Sequence, residues 1–133
     1  MTTTLKLAAA ASALALLAAC AEPQMDADMS AGGGTVIEMT AGLTFSPDPV
    51  TIAVGESVTF RNTSSFPHTV STMPSTPAEM ATVMLPEGAA PFDSGSIAGG
   101  GSFTHTFTVP GTYRYFCDPH HGAGMIGTII VTG

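Results

Sequence analysis

From Ser102 to Val109 the chain alternates without interruption, with Phe103, His105, Phe107 and Val109 on one face and threonines on the other. A period of two is that of a half-buried strand, because successive side chains point to opposite sides of a pleated backbone. The same period runs through Thr35–Met39 and Pro49–Val54, and short strands are expected at Ser57–Phe60, Thr112–Cys117 and Met125–Val131. Gly55-Glu56 and Pro110-Gly111 supply turns between them. No segment keeps a helical period over three turns. The stretch from Thr35 to Gly133 is therefore expected to be all-β, as a sandwich of short strands with a modest core. Residues 73–91 break the alternation and contain Pro74, Pro77, Pro86 and Pro91. They read as a long excursion with one helical turn around Ala78–Met84, and loops of this length usually face a partner or a site. In the strand that ends at Cys117, parity groups Tyr113, Tyr115 and Cys117 on the inner face and turns Phe116 outward.

The first 34 residues are set apart from this fold. Leu7 to Ala19 is an apolar run behind Lys6. It is too short for a spanning helix of about 20 residues and suits the apolar part of an export signal, typically ~7–15 residues. Leu17-Ala18-Ala19-Cys20 resembles the bacterial lipoprotein cleavage box. That resemblance implies a signal peptide over 1–19 and a lipid on Cys20 that holds the chain at a membrane, facing the periplasm. Ala21 in the next place resembles lipoproteins sent to an outer membrane where two membranes exist. Ordinary cleavage after Ala21 is the alternative, since Ala19-Cys20-Ala21 also has the small-x-small pattern. Residues 20–34 are small, polar and Gly-ended and read as a tether with a reach of roughly 20 Å. Met25 and Met29 within it read as chance composition.

Ten Asp and Glu stand against three Lys and Arg, a formal charge of −7. Nucleic acid calls for basic patches and is excluded as a partner. An acidic domain is instead suited to steering toward a positively charged protein. The cysteine count carries more. Cys20 is either acylated or cut away, so Cys117 has no partner for a disulfide, and an unpaired thiol in an oxidising compartment calls for a metal to hold it.

The residues around Cys117 meet that need. Cys117-Asp118-Pro119-His120-His121-Gly122-Ala123-Gly124-Met125 places a thiol, imidazoles and a thioether within one tight turn, and Phe66-Pro67-His68-Thr69-Val70 adds an imidazole beside another strand. A soft thiolate and thioether with two imidazoles is the donor set of a blue-copper site, in which His₂Cys is trigonal and Met is a weak axial ligand. Zinc favours four strong ligands, and iron–sulfur clusters need more cysteines. Rigid strands on either side of such a loop keep its geometry nearly constant between two copper oxidation states.

From Thr35 to Gly133 the chain resembles the type I blue-copper proteins of the plastocyanin and pseudoazurin group, within the cupredoxins. Gly42-Leu43-Thr44-Phe45, Phe66-Pro67-His68, the run from Gly111 to His120 and Gly122-Ala123-Gly124-Met125 carry the resemblance. It implies an eight-stranded Greek-key β-sandwich holding one type I copper, a one-electron carrier and no enzyme. It implies His68, Cys117, His120 and Met125 as the ligands, with His121 an exposed spectator. The Thr69 N–H would bond the thiolate, and Tyr113 would pin a corner. Leu43, Pro119, His120, Gly122 and Ala123 would form an apolar docking patch for a redox donor and acceptor, with the protein a monomer. Phe116 stands where plant plastocyanins carry a tyrosine used in a second electron route toward an acidic patch, so that route is not expected here.

Two other classes compete. A copper storage or delivery protein would favour Met- and His-rich sites without a thiolate, which Cys117 argues against. A subunit of a copper oxidoreductase would need a second centre that a domain of this length lacks. His105 shares the inner face of its strand and reads as a packed histidine, and Met73, Met80 and Met84 read as loop packing.

Overall fold

The alternating segments condense into two sheets. The computed structural model describes Gly34–Gly133. The expected signal peptide and the tether up to residue 33, with Cys20, lie outside the described residues. In chain order the elements are β1 (Thr35–Met39), β2 (Phe45–Ser46), β3 (Val50–Ala53), β4 (Ser57–Asn62), α1 (Pro77–Thr82), β5 (Ser102–Thr106), β6 (Gly111–Phe116), a 3₁₀ segment (Asp118–Ala123) and β7 (Ile126–Thr132). One sheet has the order β2-β1-β4-β5 and the other β3-β7-β6. The parallel pairs β1 with β4 and β3 with β7 force the chain to cross between the sheets, while β4 with β5 and β6 with β7 are antiparallel. This is the cross-connected β-sandwich expected of a cupredoxin. No helix among the described residues is long and apolar enough to cross a membrane.

Seven strands form among the described residues, where the resemblance implied eight. Between β4 and β5 the chain pairs only through isolated bridges, His68 with Ile97, Ser71 with Asp93 and with Phe116, and Met84 with Arg114. Three steps from His68 to Ser71 face four from Asp93 to Ile97, so one extra residue on the second side breaks the ladder there.

Period-two burial decides what faces the core. Ile37 and Met39 of β1, Val58 and Phe60 of β4, Ile52 of β3, Tyr113 and Tyr115 of β6, and Ile129 and Val131 of β7 share one buried cluster. Phe45, Phe60 and Tyr115 meet edge to face at its centre, with Tyr115 4.8 Å from Phe45 and 5.3 Å from Phe60. Tyr113 closes the corner before β6 by donating its hydroxyl to the Val109 carbonyl at 2.7 Å. On β5, His105 stacks on Phe92 at 4.1 Å, and burial lowers its pKa, as a packed strand histidine requires.

The excursion corrects one expectation. Phe116 is only 1% exposed, not outward. Parity does turn it away from Tyr115, but residues 71–84 fold over that side: the Phe116 N–H donates to the Ser71 carbonyl at 3.0 Å, and the Arg114 N–H to the Met84 carbonyl at 2.9 Å. The helical turn sits at Pro77–Thr82, slightly before the expected Ala78–Met84. Its start was legible in Thr76-Pro77-Ala78-Glu79, a capping box with proline in the first turn. The Glu79 N–H donates to Thr76 Oγ1 at 3.1 Å, and the Glu79 carboxylate accepts from the Ser75 and Thr76 amides at 2.7 and 3.1 Å. Those bonds let a carboxylate stay ionised while buried, and they hold its pKa low. Met73, Met80 and Met84 stay more exposed than loop packing predicts, at 54%, 61% and 45%.

Candidate metal centre

Cys117 follows the last residue of β6 and starts the 3₁₀ segment. The turn closes on itself: the His120 N–H donates to the Cys117 carbonyl at 3.1 Å, and the Met125 N–H to the His120 carbonyl at 3.3 Å. The Cys117 N–H in turn donates to the Met125 carbonyl at 3.1 Å, which continues the β6–β7 ladder by one step. Gly124 makes the tight return possible, with φ of 86° in the left-handed region that costs an L side chain energy. Three of the four expected ligand residues are thereby brought together by local backbone bonds alone.

His68 arrives from the other sheet's side of the sandwich, on its bridge to Ile97. Its Nδ1 lies 3.6 Å from Cys117 Sγ, and His120 Nδ1 lies 3.3 Å from the same sulfur. The donor atoms of His68, Cys117 and His120 all fall within 4.8 Å of one another. His68, Cys117 and Met125 are fully buried, whereas His120 is partly exposed.

The donor chemistry fits a metal ion. A neutral thiol has one proton and can satisfy one imidazole, yet two ring nitrogens converge on it. A cation with bonds of roughly 2.0–2.3 Å would place N and S ~3.5 Å apart, close to the spacing found. Electrostatics agree. Burial raises the Cys117 thiol's pKa most, with Asp118 adding; the N–H and side chain of Thr69 and the His120 N–H work against them. Burial likewise lowers the His68 pKa most, the charge of His120 adds, and the Thr40 carbonyl opposes both. The pocket by itself therefore disfavours both imidazolium and thiolate, and a bound cation would supply the charge that ionises the sulfur.

The surroundings hold these donors still. The Thr69 N–H donates to Cys117 Sγ at 3.3 Å, as the resemblance implied. Thr69 does more than expected: its hydroxyl accepts from the Asp118 N–H at 2.7 Å, which ties the His68 segment to the Cys117 turn. The Phe66 ring packs at 5.1 Å from His68 and 5.6 Å from His120, a role that Phe66-Pro67 before a histidine could have signalled.

His121 lies outside the cluster. Its Nε2 bonds Thr82 Oγ1 at 2.9 Å and its ring meets Phe116 at 5.4 Å, so it is turned toward α1 and half-buried where exposure was expected. Of the expected docking residues, Pro119, Gly122 and Ala123 are exposed and Leu43 and His120 half-buried. Leu43 takes φ of 63°, uncommon for a branched side chain.

Known proteins are similar to this chain in sequence and in fold. Residues 31–132 match the family described as copper binding proteins, plastocyanin/azurin family. The chain is similar to a chloroplastic plastocyanin of Tetradesmus obliquus, 38% identical over 125 residues, covering 93% of this chain and 75% of the relative. It is similar to the chloroplastic plastocyanin of Oryza sativa subsp. indica at 37% over 117 residues, 77% of this chain and 68% of that one. Among solved structures, an oxidised amicyanin variant aligns with a TM-score of 0.58 at 26% identity, over 74% of this chain and 82% of its own. A Cu(I) amicyanin variant aligns at 0.59 and 27%, over 79% and 88%. With a family match that spans the whole β-sandwich and converging soft and imidazole donors inside it, the chain belongs to the copper-binding plastocyanin/azurin family.

Proposed function

We propose that the chain is a one-electron carrier in which His68, Cys117, His120 and Met125 hold a single type I copper. The observation that carries this reading is the convergence of two imidazole nitrogens on one buried, unpaired thiol. Copper would supply the Cu(II)/Cu(I) couple. The chain's own residues do the rest. Cys117, His120 and Met125 sit on a turn closed by backbone bonds, and His68 is pinned by its bridge and by Thr69, so the donors move little when charge changes. Little rearrangement means a small barrier to each electron. The partly exposed His120, flanked by Pro119, Gly122 and Ala123, offers the short path to a partner, and apolar neighbours let two proteins approach without stripping water from charges.

This reading extends to cellular placement. Residues 1–19 act as an export signal, the lipid on Cys20 and the tether over 20–34 keep a monomeric domain of residues 35–133 at the periplasmic side of a membrane, and the apolar end meets redox donor and acceptor. The lipoprotein-like box, the flexible composition and the acidic charge support it.

Titrating the purified domain with Cu(II) tests the core of the reading. One equivalent is expected to give an intense visible thiolate band and an electron paramagnetic resonance spectrum with narrow copper hyperfine splitting. A colourless product would sink the assignment. In cells, Cys20→Ala is expected to move the protein from the membrane to the soluble fraction, and unchanged membrane retention would remove the lipid anchor from the account. Ala123→Glu is expected to slow electron exchange with a redox partner while leaving the spectrum in place. Unchanged exchange would move docking elsewhere.

A further inference from the structure

A buried side-chain amide is bonded into the segment that carries His68. Asn62, the last residue of β4, is 1% exposed, and both ends of its side chain are fully used. Its Nδ2 donates to the carbonyls of Phe66 and Ile97, each at 2.8 Å. Its Oδ1 accepts from the Ser64 N–H at 2.8 Å and the Ser64 hydroxyl at 2.7 Å.

These partners are the residues that place His68. The His68 N–H donates to the Ile97 carbonyl at 3.1 Å and the Ile97 N–H to the His68 carbonyl at 2.8 Å. The Ile97 carbonyl therefore receives the His68 amide and the Asn62 side chain together. Phe66, whose carbonyl Asn62 also holds, packs its ring on both His68 and His120. The Asn62 main chain grips the same turn, accepting from Gly100 at 2.8 Å and donating to Gly101 at 2.9 Å. The approach is close: a Cβ on Gly99 would lie 2.6 Å from the Ser64 carbonyl.

We propose that Asn62 is a positioning residue for the metal centre, clamping the Phe66–His68 segment against Ile97 so that His68 Nδ1 meets Cys117 Sγ at a set distance. The inference rests on the reading of His68 as a ligand. Leucine at position 62 is close in size, but only a side-chain amide donates to two carbonyls and accepts from two donors in one plane. Without it, the buried Ile97 carbonyl and the half-buried Phe66 carbonyl each lose a donor, and the turn carrying His68 relaxes.

The test uses the whole domain in two states. In metal-free Asn62→Leu, amide hydrogen exchange at His68 and Ile97 is expected to quicken about tenfold relative to Ile129 in β7. In the copper-loaded variant, copper affinity is expected to fall about 10–100-fold, the usual cost of losing an outer partner of a ligand, with shifts in the thiolate band and hyperfine splitting. Ser64→Ala, which removes the hydroxyl whose one proton is shared between Asn62 Oδ1 and the Phe66 carbonyl, is expected to move the same readouts less and decides the matter if Asn62→Leu does not fold. Val131→Ala, a core cavity in β7, serves as a destabilised control. Spectra and local exchange in the Asn62 and Ser64 variants no different from that control would overturn the proposal. A wild-type domain without a thiolate band would overturn the ligand assignment instead, and the metal-free exchange data would still report on the clamp.

Discussion

Cys117→Ser is expected to remove the visible band completely while leaving the sandwich folded. The thiolate is the only soft anionic donor in the cluster, and serine's hydroxyl does not ionise in a buried, burial-disfavoured position. Shape changes little, because oxygen is smaller than sulfur and the surrounding hydrogen bonds come from Thr69 and the two imidazoles. Copper affinity is expected to fall beyond the 10–100-fold associated with outer partners, since a direct ligand is lost. Absorption titration and thermal melting of the same variant separate the two effects. An intact band in Cys117→Ser would show that the sulfur does not bind copper, and a collapsed fold would show that the thiol is chiefly a packing group.

The largest effect on stability is expected at Gly127. In the β6–β7 register Tyr115 lies opposite Gly127, and a Cβ there would come within 2.4 Å of the Tyr115 ring and hydroxyl. Tyr115 cannot swing aside, because Phe45 and Phe60 enclose it and it has no exposed surface. Overpacking of this kind costs typically 1–3 kcal/mol, and Gly127→Ala is placed near the top of that range. For a domain of this size that corresponds to a fall in Tm of roughly 10–20 °C. The strain lies two residues from both Cys117 and Met125, so copper binding is expected to weaken with it. The Tyr115 hydroxyl is buried with no hydrogen-bond partner. Tyr115→Phe alone is therefore expected to be neutral or to stabilise by about 1 kcal/mol. It does not rescue Gly127→Ala, because the ring carbons still clash. Tyr115→Leu is expected to relieve it in part, a coupling that a double-mutant cycle reads directly. A melting temperature for Gly127→Ala within a few degrees of wild type would mean that β6 and β7 shift freely.

Much of this was legible in the chain. The all-β class followed from alternation, because a strand's two faces repeat every second residue whatever the partners are. The Cys117–Met125 turn was legible because its donors are close in sequence and Gly124 marks the return. The Thr76–Glu79 capping box also marked a helix start, although the turn was expected later, around Ala78–Met84. The position of Phe116 was not: parity tells which side a residue takes, but not whether another segment covers that side. The strand count differed for a related reason, since one extra residue between Asp93 and Ile97 breaks a ladder that a resemblance alone would continue. Thr69's second bond and the Asn62 clamp join segments 35 or more residues apart, and no local pattern announces such contacts.

The amino-acid order by itself determined the donors, the strand alternation and the turn that gathers Cys117, His120 and Met125, because each depends on neighbours within a few residues. Only the tertiary structure decided where His68 stands, that Phe116 is covered, and that Asn62 and Thr69 lock the two ligand segments together. Those outcomes depend on two sheets packing face to face, and it is that packing which brings distant side chains to within bonding distance.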